Sequence, residues 1–229
     1  MNTKGKPMRP LHVVQLGRCD YQSALSIQKT YHRLRSEGEV PDTLILVEHP
    51  PVITVGRFST GANVVASKEF LAGQGIDVIQ TTRGGDVTYH GPGQLVGYPI
   101  FHLKELGLGV KAYIQALEAV FTRLLHESYG IRAAAGDDQI GVWIDNRKIT
   151  AIGVYVSHFV SMHGFAFNIN TDLSHFSYII PCGITDKEVT SLEKERGGRQ
   201  SFEAVTDEVV KALSHVFDMT VTERRSEHG

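Results

Sequence analysis

The spacing of apolar side chains divides this chain into helical and extended stretches. Ala24, Ile27, Tyr31 and Leu34 recur at three- and four-residue intervals after Asp20, a good N-cap, and before Gly38, a good stop, so a helix is predicted from Asp20. Thr43 to Glu48 and Val52 to Val55 are short β-branched runs parted by Pro50-Pro51, which cannot donate to a ladder and so marks a corner or an edge. A brief helix follows from Ser67 to Gly73, and Asp77 to Thr81 and Leu95 to Phe101 read as strands on either side of a glycine-rich stretch. The longest helical pattern, Val110 to Tyr129, puts Tyr113, Leu117, Val120, Phe121 and Leu124 on one face and stops at Gly130. The period then becomes two. Gly141 to Ile144 and Lys148 to Val156 flank a turn at Asp145-Asn146-Arg147, and Phe165, Phe167 and Ile169 alternate along a further strand. A last helix from near Ser201 buries Val205, Val209, Leu213 and Val216-Phe217 and leaves Asp207, Glu208 and Lys211 in solvent. Blocks of helices and hairpin-linked strands, without regular strand–helix–strand alternation, predict an α+β fold with a largely antiparallel sheet.

Composition narrows this further. No linker-like tract or 20–50-residue repeat interrupts the 229 residues, so one domain is expected across 1–229, its core running from Leu11 to Phe217 between polar N- and C-terminal tails. The 23 basic and 25 acidic residues leave a net charge of −2, which disfavours a nucleic-acid partner held by phosphate contacts. No apolar run reaches the ~18–20 residues of a membrane span, and Met1 to Pro10 lacks the apolar segment of a signal peptide, so a cytoplasmic protein without membrane contact is expected. Two cysteines, Cys19 and Cys182, are too few for a disulfide scaffold, and the 11 histidines match no metal-ligand spacing, so no metal is expected.

The candidate chemistry concentrates at three places. Arg83 to Gln94, RGGDVTYHGPGQ, is either a hairpin loop whose glycines supply positive φ, or a ligand loop in which Gly84 and Gly85 admit close approach while Arg83, Thr88, Tyr89 and His90 line a pocket. It is neither a phosphate loop nor a dinucleotide fingerprint, because both the spacing and the following strand are wrong for those. Cys182 stands between Pro181 and Gly183, which is compatible with a presented thiol and with a small buried apolar side chain. Cys19 receives no role. His90 and His163 each precede a glycine and are the better site candidates among the histidines. Lys148 opens a strand just after a turn and, taken alone, reads as a solvated strand-end lysine.

Taken in order, RGGDVTYHGPGQ, Lys148-Ile149-Thr150-Ala151-Ile152-Gly153, His163-Gly164-Phe165-Ala166-Phe167-Asn168 and Pro181-Cys182-Gly183-Ile184 closely resemble the lipoyl(octanoyl) transferases of the biotin and lipoate protein ligase superfamily, over most of the chain. The glycine loop resembles the whole superfamily, whereas the Pro-Cys-Gly loop combined with the strand lysine marks the transferases. The resemblance implies a mixed, largely antiparallel sheet packed with helices. It implies transfer of octanoyl from acyl carrier protein to a lysine of the lipoyl domains of oxo-acid dehydrogenase complexes or of the glycine-cleavage carrier protein, with no cofactor. Cys182 would be the thioester-forming nucleophile and Lys148 its partner. Arg83, Gly84, Gly85, Asp86, Val87, Thr88, Tyr89, His90, Ala151, Ile152, Gly153, Gly164, Phe165 and Ala166 would form the substrate pocket, the small residues leaving room for an eight-carbon chain. Phe167 stands where that family has an aliphatic residue, a departure expected to reshape the acyl pocket. Two alternatives remain at this stage. One is an octanoyl amidotransferase acting between protein lysines. The other is an ATP-dependent lipoate or biotin ligase, which would leave Cys182 idle and would carry His-Asp where this chain has His90-Gly91.

Overall fold

A computed structural model describes residues 8–136, 139–180 and 188–226. Chain order runs β1 (Arg9–Arg18), α1 (Tyr21–Ser36), β2 (Asp42–Glu48), β3 (Val52–Val55), α2 (Lys68–Gly73), β4 (Asp77–Gln80), β5 (Val87–His90) and β6 (Gln94–Ile100). It continues through α3 (Leu103–Leu106), α4 (Val110–Tyr129), β7 (Ala134–Ala135), β8 (Val142–Ile144), β9 (Arg147–Ser157) and β10 (Val160–Asn168). A 3-10 turn (Leu173–Tyr178), β11 (Glu188–Val189), α5 (Leu192–Arg196), α6 (Phe202–Val216) and β12 (Met219–Ser226) follow.

The large sheet has the order β12-β1-β2-β6-β10-β9-β8-β7, with β11 on β9, and a small sheet has the order β4-β3-β5. Pro50-Pro51 is the point where the chain leaves β2 of the large sheet and starts β3 of the small one. β1 lies parallel to both β2 and β12, while the β2-β6-β10-β9-β8-β7 run is antiparallel throughout. The architecture is therefore α+β on a mixed sheet. Both faces of this sheet are covered, and the period-two alternation sorts side chains between them. Leu44, Leu46, Leu95, Phe165 and Phe167 join the core beneath α4 and α6, whereas Ile45, Val47, Val96, Tyr98 and Ala166 join Ala24 of α1 on the opposite face.

The periodicities predicted most of the helices correctly. Asp20 caps α1 by accepting from Ser23 N, and α4 spans the predicted Val110–Tyr129 and ends at Gly130 with φ +65°. The buried face of α1 differs from the apolar stripe. It carries Gln28 and Arg35, the latter bonded to Asp42 at 2.8 Å and Glu105 at 2.7 Å, while Ile27, Tyr31 and Leu34 are half-buried. Two expectations need correction. The polar C-terminal tail is in part strand β12, an edge strand beside β1; its mostly exposed side chains leave no apolar alternation to read. The stretch from Arg83 to Gln94 is not one loop, because Val87 and Tyr89 turn into an apolar cluster with Ile53 and Val55 and so form β5 against β3. Among the described residues no helix is long and apolar enough to cross a membrane, and no cluster of metal-ligating side chains occurs.

Candidate active site

Register builds the floor of the site. In the β9–β10 pair Gly153 stands opposite Gly164 and Ala151 opposite Ala166, and Ala166 in turn faces Val96 of β6. Small side chains at paired positions leave that part of the sheet low. The Arg83–Asp86 loop crosses above it, held by main-chain hydrogen bonds from Gly84 N to the Val154 carbonyl (2.9 Å), from Gly56 N to the Asp86 carbonyl (2.8 Å) and from Arg57 N to the Arg83 carbonyl (2.9 Å). A Cβ on Gly153 would lie 2.8 Å from the Gly84 carbonyl oxygen, and one on Gly56 would overlap the Gly85 carbonyl. These glycines exist so that two backbones can touch.

Between loop, floor and the first turns of α4 lies a cavity of about 580 Å³, a size typical of small-molecule sites. Arg83 to Thr88, His90, Lys148, Ala151 to Gly153 and Gly164 to Ala166 all line it. Tyr89 does not. Its ring packs on Phe176, with centroids 5.5 Å apart, and its hydroxyl lies 2.7 Å from His175 Nδ1. Nor does Phe167 reshape the cavity: it is fully buried on the other face of the sheet, 5.2 Å from the Phe121 ring. The expected room from four small residues also divides. The space beside Gly153 is taken by the loop and that beside Gly164 by the Gly97 carbonyl and Pro99, which leaves Ala151 and Ala166 as the small side chains of the lining.

Buried polar groups surround the inner end. Arg83 donates from Nε and one Nη to Thr54 Oγ1 at 3.1 and 2.9 Å, and from that Nη to the Thr54 carbonyl at 2.6 Å. His90, His49 and His163 are 6%, 0% and 2% exposed. Burial pushes His90 down to about 3, helped by its neighbour His49, and pushes His49 and His163 down to about 4, so all three imidazoles are neutral at pH 7. His163 sits at φ +56°, its main-chain N–H donating to Gln28 Oε1 (3.0 Å) and its Nε2 2.9 Å from Thr82 Oγ1.

Lys148 is half-buried rather than a solvated strand end, and its Nζ stands 4.6 Å from the centre of the Trp143 ring. Gly141 makes room for it, since a Cβ there would come within 3.3 Å of Lys148 Cε. A cation over an indole face gains ~0.5–2 kcal/mol, so the contact with Trp143 helps hold the side chain in place. Cys182 belongs to residues 181–187 and lies outside the described residues; Phe176 before that segment and Val189 after it both line the cavity. Tyr21, Gln94, Tyr98 and Asn168 also line it without having been singled out individually. Gln94 and Asn168 end two of the quoted motifs, so a signal existed for them. Tyr21 and Tyr98 stand outside those motifs, and nothing in the sequence singles them out.

Residues 20–214 match the family described as the lipoyl protein ligase A/B catalytic domain. The octanoyltransferase of Caldicellulosiruptor saccharolyticus is 50% identical over 208 residues, covering 90% of this chain and 88% of that protein. That of Alkaliphilus metalliredigens is 48% identical over 213 residues, covering 93% and 98%. Among solved structures, the bi-partite lipoate protein ligase studied with its E2 lipoyl domain from Thermoplasma acidophilum superposes with a TM-score of 0.75 over 94% of this chain and 86% of that one. Its sequence identity of 16% makes this a likeness of fold.

Proposed function

The chain belongs to the lipoyl protein ligase A/B catalytic-domain family and is an acyltransferase of octanoyl transfer in protein lipoylation, and from that premise we propose that it moves octanoyl from acyl carrier protein to a lysine of lipoyl domains through a thioester on Cys182. The observation that carries this reading is the position of Lys148. A side chain whose local sequence marks it as solvent-facing instead lines the cavity beneath the glycine loop, together with residues that flank the cysteine segment on both sides.

In the first half-reaction the Cys182 thiolate attacks the octanoyl thioester carbonyl; the carrier's sulfur leaves as thiolate and takes up a proton. In the second, the acceptor amine attacks the new thioester, the Cys182 sulfur leaves, and the amine's surplus proton passes to a base, the role assigned to Lys148 once it has lost its own proton. The first exchange trades one thioester for another and is nearly balanced, whereas amide formation is downhill, so the donor's own thioester supplies the activation and no nucleotide is consumed. A free thiol of pKa ~8.5 is only a few per cent ionised at pH 7, which is why a neighbouring ammonium matters. Burial of the acyl chain against Ala151, Ala166, Val96 and Ile114 contributes on the order of 0.8 kcal/mol per methylene.

Incubation with octanoyl carrier protein in the absence of ATP, followed by intact-mass measurement, tests this. One octanoyl adduct on wild type, absent from Cys182→Ser and discharged by an apo-lipoyl domain, is the expected result. Transfer that requires ATP and a free fatty acid, or an adduct that persists in Cys182→Ser, overturns it. Loading only from an octanoylated lipoyl domain would identify an amidotransferase instead.

A further inference from the structure

Six buried residues at the inner end of the cavity, four of them in its lining, form a line of hydrogen bonds whose direction is fixed from both ends. At one end stands Arg83, which can only donate. Its Nε and one Nη both point at Thr54 Oγ1, so that hydroxyl, with its lone pairs engaged, has only its proton left to give. The remaining neighbour is His90 Nε2 at 3.4 Å, which must therefore accept. A neutral imidazole that accepts at Nε2 carries its proton on Nδ1, and Nδ1 lies 2.8 Å from Gln94 Oε1.

The other end gives the same answer independently. The Thr190 carbonyl can only accept, and Asn168 Nδ2 donates to it at 3.0 Å, which turns Asn168 Oδ1 toward Gln94. Gln94 Nε2 donates to that Oδ1 at 2.9 Å and to the Tyr89 carbonyl at 3.1 Å, leaving Gln94 Oε1 facing His90 as an acceptor. Thr190 N then donates to the Lys148 carbonyl at 2.9 Å, and Val189 pairs with Lys148 along β11–β9. Thr54 and Thr190 are wholly buried, and Gln94 and Asn168 are buried, so a broken link would leave a buried polar group without its partner.

We propose that Gln94 and Asn168 are positioning residues whose amides form a one-way hydrogen-bond chain, fixing His90 as the Nδ1–H tautomer and tying the Arg83 loop on one side of the cavity to the backbone of Lys148 on the other. The chain explains why two primary amides are buried between two strands of an apolar sheet. It also gives the acyl-binding loop and the proposed reacting lysine a common frame, so that displacing one displaces the other. Its catalytic part rests on the octanoyl-transfer reading; its structural part does not.

The test combines spectroscopy with kinetics. In ¹⁵N-histidine-labelled wild type, His90 is expected to show a protonated Nδ1 and an unprotonated Nε2, and no substrate is needed for that measurement. In Gln94→Met, which keeps the volume and removes the amide, hydrogen exchange at Gly84 and at Thr190 should accelerate together by at least tenfold, and acyl-enzyme formation should slow by roughly 10–100-fold, the size of effect that misplacement of reacting groups produces. Gln94→Glu sets a carboxylate against His90 and should add an ionisation to the pH–rate profile between about pH 5 and 8, a change that loosened packing alone would not cause. A proton on Nε2 in wild type overturns the chain even if every variant misfolds. Exchange confined to residues next to position 94, or a Gln94→Glu profile superimposable on wild type, overturns the coupling. Failure of wild type to take up octanoyl overturns the transfer reading and with it the catalytic part, while tautomer and exchange still decide whether the chain exists.

Discussion

Acidification should unfold this protein well before its carboxylates are titrated. His49, His90 and His163 are neutral and buried, with values of about 4, 3 and 4 against 6.5 when exposed in the unfolded chain. Because the folded values lie below the unfolded one, the unfolded state binds protons first. The stability tied to these side chains is complete above about pH 6.5 and is lost as pH falls toward 4. At pH 5 each group costs about 2 kcal/mol, so the three together remove about 5–6 kcal/mol relative to pH 7, comparable to the whole stability of many domains. Asp20, Glu105 and Asp172, held below the usual carboxylate range mainly by hydrogen bonds to Ser23, Arg35 and Ser174, lose their contribution only at lower pH. Urea unfolding followed by circular dichroism at pH 7.0, 6.0 and 5.0 should therefore show a steep fall in midpoint. The slope should correspond to an uptake of nearly three protons near pH 5 from these side chains, reduced to nearly two in His49→Gln. A stability at pH 5 within about 1 kcal/mol of that at pH 7 would refute the assignment of three buried neutral imidazoles.

Other substitutions probe the cavity and the proposed dyad. Ala166→Leu adds three carbons to the lining and should penalise octanoyl relative to shorter donors by about 10-fold or more, read as the ratio of kcat/KM values; an unchanged ratio would remove Ala166 from the acyl path. Gly153→Ala places a methyl 2.8 Å from the Gly84 carbonyl and should cost about 1–3 kcal/mol in urea unfolding while raising KM for the donor, whereas wild-type values would show that the loop yields freely. Lys148→Arg keeps the charge and removes the deprotonated form. Stopped-flow loading should be partly retained and discharge to the lipoyl domain impaired by on the order of 10²-fold, and equal loss in both steps would leave Lys148 with a charge role alone.

What could be read from the sequence follows the physics of each element. α4 was legible because one side of it faces a dry core, so its apolar period and its glycine stop carry the whole description. α1 was legible in extent but not in its buried face, since Gln28 and Arg35 are drawn inward by distant partners, His163 N donating to Gln28 Oε1 and Asp42 with Glu105 pairing Arg35. β12 left no signal because an edge strand with solvent on its side chains needs no apolar pattern. In the site, glycines marked the right loop, but their purpose was visible only in three dimensions. Gly153 and Gly56 serve backbone contact with residues far along the chain, and Tyr89, inside the same motif, faces away from the cavity. Phe167 misled for a related reason: one step along β10 from Ala166 is a step to the other side of the sheet.

The anchoring of the Arg83–Asp86 loop through peptide groups separates two properties that proteins usually trade against each other. Because Gly84 N, Gly56 N, Arg57 N and the carbonyls they meet fix the loop's course, position and side-chain chemistry are separated except at Arg83 and Asp86, whose side chains also hold the loop, on Thr54 and on Ser59 with Asn63. Thr88, half-buried and lining the cavity just beyond these contacts, is thus free to vary for specificity, whereas Val87 is held in the core of the small sheet. The constraint falls instead on the loop's backbone partners, Gly56 and Gly153, where a Cβ would meet the Gly85 or the Gly84 carbonyl and so move the loop. For a designer wishing to admit a longer or a branched acyl group, the productive library is the one that leaves those two glycines, Arg83 and Asp86 alone and randomises Thr88 together with Ala151 and Ala166.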